Sequence, residues 1–318
     1  MLFYYCDLYR SSGGLFGIKI NRGIYIGEGL RETKFVHLHS DMKYCSIASG
    51  SNGNCYYVAK GTDAVLIDVG INTKHVELRM ANLGISPGSI RAVFITHEHT
   101  DHIKGLSVFC KRYQIPVYLT EGTYKGSRLQ LPGHLVYIIK ADSRVRIGGL
   151  TVMGIPKYHD AKEPCSFVVT DGVTNIGILT DLGRGCDNVK HVIRHTDVLF
   201  LESNYDEDML EYGRYSFYLK NRIRSGWGHI SNRIALELFL ENRSARLKHL
   251  ILGHLSGQNN TIERVWEAFG PHCDDVRLSV ATRYEETELF DIQQLSQTHS
   301  VIIHHVEEVT YTVRVVGE

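Results

Sequence analysis

The stretch Phe94-Ile95-Thr96-His97-Glu98-His99-Thr100-Asp101-His102 sets a His-x-His-x-Asp-His pattern, three imidazoles and the Asp101 carboxylate within six positions, directly after an apolar run. Neutral imidazole nitrogens and a carboxylate oxygen form a donor set suited to zinc, iron or manganese. The same arrangement, an apolar stretch that delivers a His or Asp at its end, recurs along the chain. Val65-Leu66-Ile67 leads to Asp68, Leu150–Pro156 to His159-Asp160, Ile176–Thr180 to Asp181 and His249–Gly253 to His254. Each alone reads as a turn or capping residue. Together with the cluster they point to ligands gathered at strand ends, where loops converge without burying unpaired backbone.

Such ligands need a scaffold. Strand-like runs fall at 43–48, 56–59, 64–67, 92–96, 117–120, 135–138, 144–147, 150–155, 166–170 and 175–180, with further strands at 249–252 and 276–280. Gly61-Thr62-Asp63 joins two of them as a hairpin turn. Val76, Met80 and Leu83 mark one side of a helix stopping at Gly84. Further helices are predicted at 105–113, 206–224, 230–243 and 259–269. Strands in two batches, each followed by helices, predict an α/β protein of two sheets with helices outside. Residues 1–41, Gly-rich and without a motif, read as an N-terminal extension of unknown role before a domain starting at Met42 and running to 290. Residues 291–318 read as a β-rich extension, because Val301, Ile303, Val306, Val309, Tyr311 and Val313 alternate.

Composition narrows the classes. The 318 residues carry 35 basic and 35 acidic side chains and are 43% hydrophobic, which excludes a disordered chain and a surface that is cationic throughout. No apolar run approaches the roughly 18 residues of a membrane span. Seven scattered cysteines without a Cys-x-x-Cys pair suit buried thiols in a reducing compartment rather than a disulfide framework. The start, Met-Leu-Phe-Tyr-Tyr-Cys-Asp, does not resemble a signal peptide, so a cytoplasmic protein is expected.

Ile67-Asp68-Val69-Gly70, the cluster at 97–102, His159, Asp181 and His254, in this order, resemble the five motifs of the metallo-β-lactamase fold. Ser49-Gly50-Ser51-Asn52-Gly53-Asn54-Cys55, Glu202-Ser203-Asn204-Tyr205, Met209-Leu210, Leu219-Lys220-x-Arg222-Ile223, Gly228-His229-Ile230-Ser231-Asn232 and the run from Leu252 to Asn260 resemble one branch, the YycJ (WalJ, VicX) group. Members of that group are linked to 5′→3′ exonuclease action on duplex DNA. The resemblance covers about 43–290. It implies an αββα sandwich of two mixed sheets with helices on the outer faces. It also implies two divalent metal ions (zinc, manganese or iron). His97, His99 and His159 would hold one, Asp101, His102 and His254 the other, and Asp181 would bridge them. A hydroxide shared by the metals would be the nucleophile, with Asp101 in the catalytic centre. Asp68 would fix a His tautomer or a loop by hydrogen bonding, with turn capping as the alternative.

His229 stands before Ser231, a candidate N-cap for a helix carrying Ile234 and Leu238. It is suited to protonating a leaving alkoxide or clamping a phosphate, and phosphodiesterases of this fold resembling RNase Z have a His in a similar place. Packing at the helix start and metal ligation are the alternatives. Ser256, Asn259 and Asn260, near the next helix start, are candidate phosphate contacts or simple caps. Lys220, Arg222 and Arg224, interleaved with Tyr215, Phe217 and Tyr218, are candidate contacts for a DNA backbone and frayed bases, or a solvated helix face. Ser216 stands where this branch carries Pro. The 73 positions between Asp181 and His254 are too few for the β-CASP domain inserted there in RNase J-like relatives. The expected activity is a dinuclear metal phosphodiesterase, an exodeoxyribonuclease. The alternatives are a small-molecule hydrolase acting on a cyclic phosphodiester, thioester or lactam, and a metal-binding regulator without catalysis.

Overall fold

The computed structural model describes residues 3–10, 16–23 and 40–295. Strands β1 (Phe3–Arg10) and β2 (Phe16–Gly23) pair antiparallel as a separate ribbon. The first large sheet contains β3 (Met42–Ala48), β4 (Cys55–Lys60), β5 (Asp63–Ile67), β6 (Ile90–Phe94), β7 (Val117–Thr120) and β8 (Val136–Ile139). The second contains β9 (Arg144–Ile147), β10 (Leu150–Pro156), β11 (Cys165–Thr170), β12 (Asn175–Leu179), β13 (Val198–Glu202), β14 (His249–Gly253) and β15 (Arg277–Val280). A short β16 (Phe290–Asp291) returns to the first sheet, antiparallel to β3. Both sheets have seven strands, in the orders β16-β3-β4-β5-β6-β7-β8 and β15-β14-β13-β12-β11-β10-β9.

Each sheet is antiparallel at one side and parallel at the other. Strands β5 to β8 run parallel, as do β12 to β15, and β10 shares the direction of β12 through two antiparallel steps. The strands ending near Asp68 and His97 are therefore parallel neighbours, as are those ending at Asp181, Glu202 and His254. Their carboxyl ends open on one edge, the place where α/β sheets gather ligands.

Alternation within the strands builds the layers. Val65 and Ile67 of β5 point between the sheets, and Ala64 and Leu66 point out; on β13, Val198 and Phe200 point in, and Leu199 and Leu201 out. Both faces are covered, so these strands are apolar throughout. The outer layer of the first sheet comes from the helices Thr73–Asn82 and Leu106–Tyr113, through Val76, Met80, Leu106 and Phe109. That of the second comes from Asp187–His195, Asn232–Asn242 and Ile262–Phe269. The result is the αββα sandwich. Between Asp181 and His254 the described chain forms only helices, β13 and β14, with no inserted domain.

Several elements differ from expectation. Strand β13 and the helices Glu121–Ser127 and Asp187–His195 were not anticipated. A short, fully buried apolar run such as Val-Leu-Phe-Leu has no periodicity to mark it as a strand. The helix expected over 206–224 breaks at Gly213 into Glu207–Tyr212 and Phe217–Ile223. Residues 292–295, expected to extend the alternating tail, form a helical turn whose Ile292 and Leu295 join the core between the sheets. The remainder of that tail lies outside the described residues. No helix among the described residues is long and apolar enough to cross a membrane.

One core histidine links packing to pH. His249 lies buried between the sheets, with Nδ1 2.9 Å from the Tyr44 hydroxyl and Nε2 2.9 Å from Ser279 Oγ. Burial pushes its imidazolium down to about 3, with the Arg277 charge adding to the effect. An unfolded His titrates near 6.5, so between these values the unfolded chain binds the extra proton. The stability due to neutral His249 is complete above about pH 6.5 and falls as pH drops towards 3, by up to about 1.4 kcal/mol per pH unit. In urea unfolding from pH 7 to 5, His249→Gln is expected to show a shallower loss of stability than the parent chain; parallel slopes would contradict this.

Candidate metal centre

Strand ends supply the site. Asp68 follows β5, His97 follows β6, His159 follows β10, Asp181 follows β12 and His254 follows β14, while Asp101 and His102 lie on the turn of helix Thr100–Ile103. Asp68, Asp181 and His254 all adopt left-handed backbone angles, with φ of 63°, 52° and 57°. Non-glycine residues hold that conformation at a cost on the order of 1 kcal/mol or more each, and such strain collects at functional sites. The loop Ser49–Asn54 braces the cluster. Ser49 Oγ accepts from the His254 amide at 2.8 Å, and the Asn54 amide donates to the Asp101 carbonyl at 2.8 Å. Gly70 packs so tightly on that carbonyl that a Cβ would lie 1.6 Å from it, so no larger residue fits.

Donor atoms of His97, His99 and His159 lie within 4.8 Å of one another. So do those of Asp101, His102, Asp181 and His254, and those of Asp181, Glu202, His229 and His254. Asp181 lies between the groups: its Oδ1 is 3.7 Å from His159 Nε2 and 3.5 Å from His254 Nε2, and its Oδ2 is 3.1 Å from His102 Nε2.

The outward nitrogens are tied to the protein. His102 Nδ1 donates to Asp68 Oδ2 at 2.7 Å, His159 Nδ1 to the Gly228 carbonyl at 3.0 Å, and His254 Nδ1 to Glu202 Oε1 at 3.0 Å. Thr96 Oγ donates to Asp68 Oδ2 and faces His97 Nδ1 at 2.9 Å, so Asp68 orients two rings. With the Nδ1 proton committed outward, a neutral ring turns an unprotonated Nε2 inward, the arrangement that prepares histidine for a metal. The carboxylates at the centre then require either a proton on Nε2 or a cation in its place. Asp181 Oδ2 and His254 Nε2 are buried with no hydrogen-bond partner, which fits donors that a cation would satisfy.

Electrostatics make the same demand. Burial opposes charge on His254, yet Asp181, Asp101 and Glu202 lift it to about 10. Burial likewise opposes charge on His102, but Asp181, Asp68 and Asp101 raise it well above the usual range. Burial raises Asp181, and His254 and His102 more than offset this, so it stays ionised. Burial holds His97 well below its usual value and brings His159 down to about 3. The pocket thus carries negative charge that calls for cations beside rings ready to ligate.

Glu202 is the residue that the sequence reading missed as part of the site. It ends the buried β13, and its Oε1 accepts from both His229 Nδ1 at 2.7 Å and His254 Nδ1, while Oε2 accepts from the Leu182 amide at 2.6 Å. Burial raises its carboxyl, but His229 and His254 outweigh this and keep it below its usual value. The signal was present: an apolar run ending in an acid, as at Asp68 and Asp181. His229, partly exposed, is held by Glu202 beside Asp181, and Ser231 caps the following helix as expected.

The candidate substrate contacts sit differently. Asn260 bonds to the Ser203 carbonyl and Asn232, and Ser256 Oγ accepts from the Asn259 amide; all three residues are buried, and the following helix starts at Ile262 under a Thr261 cap. These bonds are to protein groups, while Asn259 Oδ1 is buried without a hydrogen-bond partner. Arg222 pairs with Asp160 at 2.5 Å, Arg224 with Glu211 at 2.7 Å, and Lys220 donates to the Glu211 carbonyl. Tyr215 packs beside Tyr205, Leu210 and Ile223, while Phe217 and Tyr218 are exposed. Ser216 caps the helix Phe217–Ile223 by accepting from the Leu219 amide.

Comparison with known proteins agrees with this fold. A beta-lactamase superfamily domain matches residues 63–254. The chain is 30% identical over 261 residues to exodeoxyribonuclease YycJ of Bacillus anthracis, covering 76% of this chain and 99% of that protein. It is 31% identical over 231 residues to exodeoxyribonuclease WalJ of Streptococcus pneumoniae, covering 70% and 84%. The crystal structure of the metallo-β-lactamase-fold protein YhfI from Bacillus subtilis superposes with a TM-score of 0.62 at 18% identity, covering 78% of this chain and 99% of that one. The chain belongs to the beta-lactamase superfamily and is a metal-dependent hydrolase of the metallo-β-lactamase fold.

Proposed function

We propose that this enzyme is a dinuclear metal phosphodiesterase that degrades DNA from the 5′ end. The observation that carries the metal chemistry is the convergence on Asp181 of imidazoles whose outer nitrogens are already bonded. The choice of DNA is supported by the two relatives named exodeoxyribonucleases, matched over 84–99% of their length. His97, His99 and His159 would hold one cation and Asp101, His102 and His254 the other, with Asp181 shared. Two such cations lower the pKa of an attacking water and neutralise charge on the phosphate. Asp68 and Glu202 keep the rings in register. His229, with Nδ1 bonded to Glu202 and 3.9 Å from Asp181 Oδ1, keeps Nε2 clear of that bond, and from there it can protonate the leaving alkoxide. The six described cysteines, all free thiols, suit the cytoplasm.

Chain loaded with Mn²⁺ or Zn²⁺ is expected to shorten end-labelled duplex DNA from the 5′ end, and Asp101→Ala to abolish this. Hydrolysis of bis-p-nitrophenyl phosphate with DNA untouched would instead favour a small phosphodiester as substrate. His229→Ala is expected to lower kcat on DNA by about 10²–10⁴-fold. The same variant should cost little with the nitrophenyl diester, whose leaving group needs no proton; equal losses on both would contradict the acid role. Glu202→Gln cannot accept from two rings and from the Leu182 amide together. It is expected to weaken metal binding or activity by about 10–100-fold, measured by competition with a chromogenic chelator; unchanged values on both counts would contradict the orienting role.

A further inference from the structure

Beside the metal site stand three large side chains that the chemistry above does not use. Arg184 stacks on Tyr158, its guanidinium carbon 3.6 Å from the ring centroid, and lies 5.7 Å from the Trp227 centroid. Tyr158 and Trp227 meet edge to face at 5.3 Å. Each belongs to a loop that carries a site residue: Tyr158 adjoins His159, Arg184 follows Asp181 by three positions, and Trp227 precedes His229 by two.

The three loops are locked together. Gly183 donates its amide to the Tyr158 carbonyl at 2.7 Å, and a Cβ on Gly183 would lie 2.4 Å from the Gly226 carbonyl. The Gly228 carbonyl receives the His159 ring proton. The aromatic pair is thus fixed relative to the ligands, yet Trp227 is 50% exposed and Tyr158 36%. Arg184 also differs from the cations nearby. Arg222 and Arg224 are paired with Asp160 and Glu211, whereas Arg184 has no carboxylate partner among the described residues. A rigid, exposed indole beside an unneutralised guanidinium suits a planar heteroaromatic group joined to a phosphate.

We propose that Tyr158, Arg184 and Trp227 form a nucleobase platform: a base of the bound strand stacks on Trp227 while Arg184 contacts a phosphate next to the scissile one. The proposal deepens the nuclease reading and rests on it. Stacking of one base on an aromatic side chain strengthens binding by roughly tenfold or more.

The test uses the full chain carrying Trp266→Phe, which leaves Trp227 as its one tryptophan. Oligothymidylate is expected to quench Trp227 fluorescence saturably, and an abasic oligonucleotide of equal length is not. In the otherwise native chain, Trp227→Leu should weaken oligothymidylate binding about tenfold and leave abasic binding unchanged. Equal weakening of both, or DNA hydrolysis at the native rate without quenching, would overturn the platform and leave the nuclease reading standing. Quenching without DNA hydrolysis under either metal would overturn the nuclease reading and support a base-binding site. The absence of both would overturn both.

Discussion

A buried carboxylate ringed by imidazole nitrogens is the constraint on which the site depends. Asp181 is surrounded by His102, His159 and His254, and each of these rings has its other nitrogen fixed to a protein acceptor. For groups this deeply buried, such an arrangement is unfavourable unless positive charge, as a proton or a cation, enters. The raised values of His102 and His254 and the ionised Asp181 are two sides of this demand. Divalent cations would meet it with fixed geometry, which would account for outer hydrogen bonds as well developed as the candidate ligands themselves.

The fold supplies that geometry through strand direction. Parallel pairing within each sheet sends the ends of β5 and β6, and those of β12, β13 and β14, to one edge. The core between the sheets, with Tyr56, Phe94, Phe167 and Phe200 fully or almost fully buried, fixes the distance between those edges. The left-handed turns at Asp68, Asp181 and His254 then store strain that the rigid sandwich sustains. Ser49–Asn54, at the start of the domain, fastens the backbone of both Asp101 and His254, so residues far apart in the chain are held in one unit.

Much of this was legible in the sequence because each proposed ligand carries a local signal. An apolar run ending in His or Asp located Asp68, His159, Asp181 and His254, and most strands and the outer helices followed from periodicity and turn residues. Glu202 obeyed the same rule but ended an apolar run that was not read as a strand, so the orienting partner of His229 was lost with it. The polar residues at 256–260 and the cations of 220–224 show the opposite case. Their types suit a phosphate, yet long-range partners such as Ser203, Asp160 and Glu211 engage them, and no local pattern encodes those contacts. Tyr158, Arg184 and Trp227 went unnoticed for a similar reason, since only the fold brings three separate loops together.

The central claim, that Asp181 joins two sets of donors into one centre for two cations, is tested most directly by metal stoichiometry. Equilibrium dialysis of the chelator-stripped chain against Mn²⁺ or Zn²⁺, followed by elemental analysis, is expected to give two ions per chain. Asp181→Ala should hold fewer, while remaining folded by circular dichroism. A native chain that retains no ion, or a variant that retains the full native complement, would contradict the account.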